Sequence, residues 1–264
     1  MRKAYWSFSR TLNGLIRSPA AALAERRRER AQAGDRDPGA ERVLHEVIDW
    51  LCRAQDSSRS RDGGVARDYS PLHGWASSYP ETTGYIVPTF IEYARRFGRS
   101  DVADRARRMT DWLTEIQLPP GAFQGGKIDS HPVVPVTFNT GQILLGLAAA
   151  ENCFGVYREP MRRAADWLVL SQDADGCWRR HPTPFAKSGE KAYETHVAWG
   201  LFEAERVAPG EGYGEAGQRQ VRWAISRQLA VVPVRASSAS GRPNPTLSGL
   251  RRPWLIVPPR RPSA

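Results

Sequence analysis

Only three cysteines, Cys52, Cys153 and Cys177, stand in 264 residues. That number closes no disulfide framework, and no two of them form a C-x-x-C pair, which excludes a zinc site built on paired thiolates. Free thiols in a reducing cytoplasm are the expectation. The longest apolar stretch, Ile143 to Ala150 with Gly146 inside it, covers eight positions. A membrane-spanning helix needs roughly 20, so no transmembrane segment is read here. No RNP, zinc-finger or basic-zipper pattern accompanies the net charge of +10, so nucleic acid is not the expected partner. What is present is aromatic: nine Trp, eight Tyr and eight Phe in a 41% hydrophobic chain. That is enough to build a core and argues against global disorder.

The charge is unevenly placed. Residues 1–36 hold nine Lys/Arg against three acids, giving +6, and residues 229–264 hold six Arg and no acid, again +6. The middle, 37–228, therefore carries 10 − 12 = −2. Three segments follow: a basic N-terminal arm over 1–36, a near-neutral body over 37–228, and a basic Pro/Arg-rich tail over 229–264 that is expected to be disordered. Arg10 and Asn13 interrupt the only candidate signal-peptide stretch. Tyr5 to Ile16 reads as a frayed amphipathic arm, with peripheral contact to a membrane or partner as the alternative.

The body is a repeat. Trp50-Leu-Cys-Arg-Ala-Gln55 returns as Trp112 to Gln117, Trp167 to Gln172 and Trp223 to Gln228, each W-x4-Q, at spacings of 62, 55 and 56 residues. Asp49, Asp111 and Asp166 precede the first three Trp. A second element interleaves with it and aligns Thr83, Thr140 and Thr195 at spacings of 57 and 55.

Each unit reads as two helices. Val102, Ala106, Met109, Leu113 and Ile116 share one helical face, opposite Arg105, Arg107, Arg108 and Glu115. The stretch Ile143 to Ala150 is apolar all round and predicts a helix buried on every side. One polar-faced and one buried helix per unit describe two concentric layers. The predicted fold is all-α: an incomplete α/α toroid of helical hairpins with a repeat of about 55 residues. Outer helices end in W-x4-Q, and inner helices begin near the threonines and should be almost fully buried. Short turns at Gly98, Gly155 and Gly210 join inner to outer helices. The 22 to 27 residues between each Gln and the next aligned Thr return to one end of the barrel, where a site is normally built.

Gln172-Asp-Ala-Asp-Gly-Cys-Trp178, and Gln117 to Phe123 with Phe in place of Trp, resemble the QW motif of the squalene–hopene cyclase and protein-prenyltransferase toroids. That resemblance implies a structural role for the Gln and the ring. Gly74-Trp-Ala-Ser-Ser-Tyr-Pro-Glu-Thr-Thr-Gly-Tyr85 resembles a bacterial toroid family met near polysaccharide-biosynthesis genes, over about residues 40–228. The acidic D-x-D-D cluster of the cyclases is missing, because Gly176 follows Asp173-Ala-Asp175. The zinc ligands of the prenyltransferases are missing too. The remaining toroids of this kind, six-hairpin glycosidases, lyases and sugar epimerases, imply a sugar or polysaccharide ligand and acid/base groups in the loop-side mouth. No cofactor or metal is expected.

The loops supply the candidates. Glu81, Glu194, His131, His181 and His196 are candidate acid/base residues: imidazoles titrate near neutrality and a carboxylate pair can divide acid and base roles. Acids at helix N-termini also serve the helix dipole without any chemistry. Trp75, Tyr79, Trp178 and Tyr193 are candidate sugar-stacking rings, and Asn139 is a candidate hydroxyl-binding residue. The Trp of W-x4-Q serves the repeat itself. An enzyme and a non-catalytic glycan- or protein-binding scaffold both fit these residues. A terpenoid or lipid enzyme fits only the QW-like motif.

After Gln228 the pattern breaks. Seven Pro, six Arg and five Ser occupy the last 36 residues, and no inner helix can be read there. Shifted by one nucleotide with GC-rich codons, part of this tail spells a helix-like string, so a truncated or frameshifted C-terminus is expected.

Overall fold

The computed structural model describes residues 37–183 and 189–227, with Leu23 and Arg27 as isolated positions. The basic arm, the Pro/Arg-rich tail and Gln228 lie outside the described residues, apart from those two positions.

Seven helices in two layers account for most of the described body. α1 (Ala40–Asp56), α3 (Ser100–Glu115), α5 (Arg158–Ser171) and α7 (Tyr213–Ser226) are the outer helices. α2 (Pro80–Phe97), α4 (Thr137–Phe154) and α6 (Thr195–Val207) are the inner ones. A two-residue hairpin, β1 (Tyr69–Ser70) and β2 (Gly74–Trp75), interrupts the first loop. α2 packs on α4 and α4 on α6, and each inner helix packs on the outer helix that follows it. This is the α/α toroid read from the repeat, as an arc of hairpins.

The W-x4-Q repeat has a mechanical explanation. Gln55 donates from Nε2 to the Gly63 and Arg105 carbonyls, at 2.9 and 3.2 Å. Gln117 donates to Gly121 and Pro160, both at 2.9 Å, and Gln172 to Gly176 and Ala216, at 3.0 and 2.9 Å. In each of these three copies one amide ties a loop glycine to the next outer helix. Those glycines are required. Gly63, Gly121 and Gly176 have φ of 101°, 100° and 93°. A Cβ on Gly121 would lie 2.2 Å from the Arg163 carbonyl oxygen, and one on Gly176 would lie 2.6 Å from that of Arg219. The Asp before the Trp has a repeated partner as well: Tyr157 donates to Asp111 at 2.6 Å and Tyr213 to Asp166 at 2.8 Å.

The expectation that all inner helices are buried needs correcting. α4 is buried almost throughout, whereas α2 and α6 each flank it on one side and expose Tyr85 and Trp199. Among the described residues α2 and α6 each have an inner neighbour on one side only, so apolar side chains on the other side meet solvent.

Close packing of the inner layer also corrects the alignment. A Cβ on Gly84 would lie 2.5 Å from Ile143 Cα, and one on Gly141 would lie 2.9 Å from Val197 Cα. A Cβ on Gly146 would meet the Gly84 carbonyl, and one on Gly200 the Gly141 carbonyl. Gly84 thus corresponds to Gly141, while Gly146 corresponds to Gly200. The third inner helix is offset by 54 residues, not the 55 of the threonine alignment. Glu194, not Thr195, matches Thr83 and Thr140.

Candidate functional site

In register, the inner helices present three stripes to one wall. Tyr85, Pro88, Glu92 and Arg96 of α2, Leu145, Ala149 and Asn152 of α4, and Trp199, Glu203 and Arg206 of α6 line a groove of about 770 Å³. Each set follows helical spacing. Extended toward the loop end, the same stripes lead to Glu81 on α2, to Gln142 and Phe138 on α4, and to His196 on α6. Among the described residues no three His, Cys, Asp or Glu side chains gather to hold a metal.

Glu81 stands in the first turn of α2, one turn beyond Tyr85 on the groove stripe, and is half-buried. Burial pushes its carboxyl up, while the Tyr79 and Tyr85 hydroxyls beside it partly offset that rise. Burial and the nearby Glu81 charge push both phenols up, so they stay neutral and act as donors. Asn139 lies 2% exposed on α4, with its amide beside the Tyr79 hydroxyl. The structure thus brings together three of the sequence candidates, Glu81, Tyr79 and Asn139. His196 is exposed, with its ring centroid 6.4 Å from that of Phe138, which in turn meets Tyr193 edge-on at 5.4 Å.

The other candidates go elsewhere. Trp178 is corrected from a sugar-stacking ring to a core residue: it is 2% exposed and its indole N–H donates to the Leu168 carbonyl at 2.9 Å. Phe123 fills the matching place in the preceding loop, fully buried, which is the structural role that the QW resemblance implies. Trp75 packs against Trp50 of α1 and Tyr69 at about 5 Å, and His181 against Trp167 of α5 at 5.0 Å. Both rest on outer-layer tryptophans. Burial lowers the pKa of His181, whose backbone has a φ of 58° and whose carbonyl accepts the Thr137 N–H at the start of α4. That is a loop-anchoring arrangement. His131 is exposed in the second loop.

Glu194 is not the partner of Glu81 that the sequence alignment made it. It stands where Thr83 and Thr140 stand, and those hydroxyls accept loop N–H groups from Val65 and Phe123 at 2.9 and 3.0 Å. The carboxyl is therefore turned to the loop side of the layer, away from the groove. It is 2% exposed, its Oε2 has no hydrogen-bond partner, and burial pushes its pKa up to about 7.

Tyr85 and Trp199 are groove residues that the loop-based reading missed, and so is Gln142 on the α4 stripe. They lie inside helices, and the signal was available in the helical spacing: Tyr85 is four residues from Glu81, Gln142 four from Phe138 and Trp199 three from His196.

No family model and no curated protein matches the chain. Solved structures do. An unsaturated glucuronyl hydrolase specific for heparin aligns with a TM-score of 0.56 at 16% identity, over 72% of this chain and 48% of that one. A possible member of the GH105 family from Salmonella enterica serovar Paratyphi A aligns with a TM-score of 0.55 at 14% identity, over 80% and 58%. The chain spans about half the length of the solved structures it matches. What these alignments and the two-layered repeat establish together is the fold: an α/α toroid of the six-hairpin glycosidase-like kind.

Proposed function

We propose that this chain is a carbohydrate-active toroid protein that performs acid/base chemistry on a sugar at the head of the axial groove, with Glu81 as the proton-transferring group. The observation that carries the reading is the Glu81 carboxyl, raised by burial and flanked by two neutral phenols and a buried amide. A carboxyl moved toward neutrality is suited to give or take a proton at physiological pH. Tyr79 and Tyr85 supply donors for developing negative charge, and Asn139 and His196 contact the ring hydroxyls.

Two-carboxylate hydrolysis needs a second acid within about 5–9.5 Å. The next carboxylate along the α2 stripe is Glu92, eleven residues on, or about 16 Å at helical rise. A single carboxyl on this stripe with phenol donors beside it fits lyase-, epimerase- or hydration-type proton transfer. The likeness to a glucuronyl hydrolase supports including oligosaccharides with an unsaturated glucuronyl end among the substrates tried.

The test is turnover of a glycan panel by the purified protein and by Glu81→Gln. The expected result is at least 100-fold lower kcat for the variant with ligand binding retained. Binding of a glycan without turnover by either protein overturns the enzyme reading and leaves the scaffold. Equal turnover by both removes Glu81 from the chemistry.

A further inference from the structure

We infer that the axial groove is an extended binding channel for a sugar chain of several units, with Tyr85 and Trp199 as its stacking walls and Gln142 as a buried donor at its head. This rests on the carbohydrate reading above and adds the length of the ligand and the residues that grip it.

Four observations carry it. First, two rings stand open toward the groove, on the sides of α2 and α6 that have no further inner helix among the described residues: Tyr85 is 38% exposed and Trp199 is 54% exposed. They face the groove from α2 and α6, on opposite sides of a floor made by Leu145, Ala148 and Ala149. A small-residue floor between two rings leaves a slot for a flat ligand with apolar faces. Second, Trp199 is held in place. Its indole N–H donates to Glu203 Oε1 at 3.1 Å, and Arg206 grips the same carboxylate at 3.1 Å. A ring fixed in this way loses little freedom when a ligand stacks on it.

Third, an amide donor is stranded. Gln142 Nε2 is buried without a hydrogen-bond partner, in a residue 4% exposed. Unpaired buried donors are costly and rare, and an oxygen-rich ligand would pair this one. A purely hydrocarbon ligand would leave it unpaired and would also strip water from Glu92 and Glu203. Fourth, the channel is long. From Tyr85 to Arg96 the α2 lining covers 11 residues, about 16 Å at helical rise, which exceeds any single pyranose ring. Hydroxyl-binding groups line its foot, Glu92, Arg96, Asn152 and Arg206, and the α2 and α4 stripes continue beyond its head to Glu81 and Gln142.

The experiment is calorimetric titration of the whole chain with di-, tetra- and hexasaccharides of hexose, N-acetylhexosamine and uronate backbones, followed by the same titrations on Tyr85→Ala, Trp199→Ala and Gln142→Leu. For the backbone that binds, the hexasaccharide is expected to bind at least tenfold more tightly than the disaccharide. Tyr85→Ala and Trp199→Ala should each weaken the hexasaccharide at least tenfold and erase the advantage of length. Gln142→Leu should weaken all lengths alike. Affinity independent of length, or aromatic variants that match the parent, would overturn the channel while leaving Glu81 chemistry on a short sugar standing. Failure of every backbone to bind would overturn the carbohydrate reading together with it. Melting curves recorded on the three variants separate lost binding from lost folding.

Discussion

The outer layer and the groove side of the inner helices obey different rules. In the outer layer, each copy repeats the last: Gln55, Gln117 and Gln172 make the same pair of carbonyl contacts. Gly63, Gly121 and Gly176 make the same left-handed turn. On the groove side, equivalent places differ in every copy. Glu81, Phe138 and Ala192 correspond to one another, as do Tyr85, Gln142 and His196, and Pro88, Leu145 and Trp199. What is repeated builds the arc. What is unrepeated, at equivalent and well-supported positions, is free to recognise something.

The largest effect should come from breaking a repeated turn. Gly121→Ala places a Cβ 2.2 Å from a backbone oxygen that cannot yield, at a φ that disfavours any side chain. The loss should be about 4 kcal/mol or complete failure to fold, read by denaturant melts. Gly74 also has a positive φ but open space around it, so Gly74→Ala should cost only about 1 kcal/mol.

Glu194 breaks the repeat on its buried side, so it should cost stability in a pH-dependent way. Its folded-state pKa of about 7 lies above the ordinary 4.5. The folded state therefore holds its proton longer than the unfolded state does. Its contribution is fully present below about pH 4.5 and is lost as pH rises through 7, with a loss on the order of 3 kcal/mol. Glu194→Gln should abolish this slope and raise the melting temperature at pH 8. An unchanged pH profile would mean that the carboxyl finds a partner.

Two glutamines sharpen the contrast most directly. Gln55, 3% exposed, has its amide fully used, so Gln55→Leu should destabilise by about 2 kcal/mol. Gln142, 4% exposed, has an amide nitrogen with no partner. Gln142→Leu should leave stability unchanged or raise it by about 1 kcal/mol. Equal losses at the two sites would erase the distinction between building and binding positions.

Much of the fold was legible because W-x4-Q and the threonines are sequence-local marks of a mechanical joint that recurs. Tyr157 and Tyr213, the partners of Asp111 and Asp166, were not legible, since each lies 46 or 47 residues from its acid. Of the candidate site, Glu81, Tyr79 and Asn139 were all named from the sequence, and the fold brings them side by side. Trp178 was misplaced because a ring in a loop can turn inward as easily as outward, and here the joint required it in the core. Glu194 was misaligned because a one-residue change in loop length rotates a helix position by about 100°, enough to move a carboxyl from one side of the layer to the other. Trp199 and Tyr85 escaped because apolar residues inside a helix read as core until the missing neighbour is seen.

The joints have a consequence for how the chain assembles. The hydrogen bonds described here that tie one helix or loop to another span at most 53 residues of sequence, the separation between Arg105 and Cys52. None has to wait for a distant terminus. As the polypeptide leaves the ribosome, each outer helix can lock onto the loop before it once one further repeat has emerged. Low sequence separation of this kind speeds folding and lets it proceed vectorially. The joint that carries the architecture also sets the order in which it is made, from α1 toward α7, one hairpin at a time.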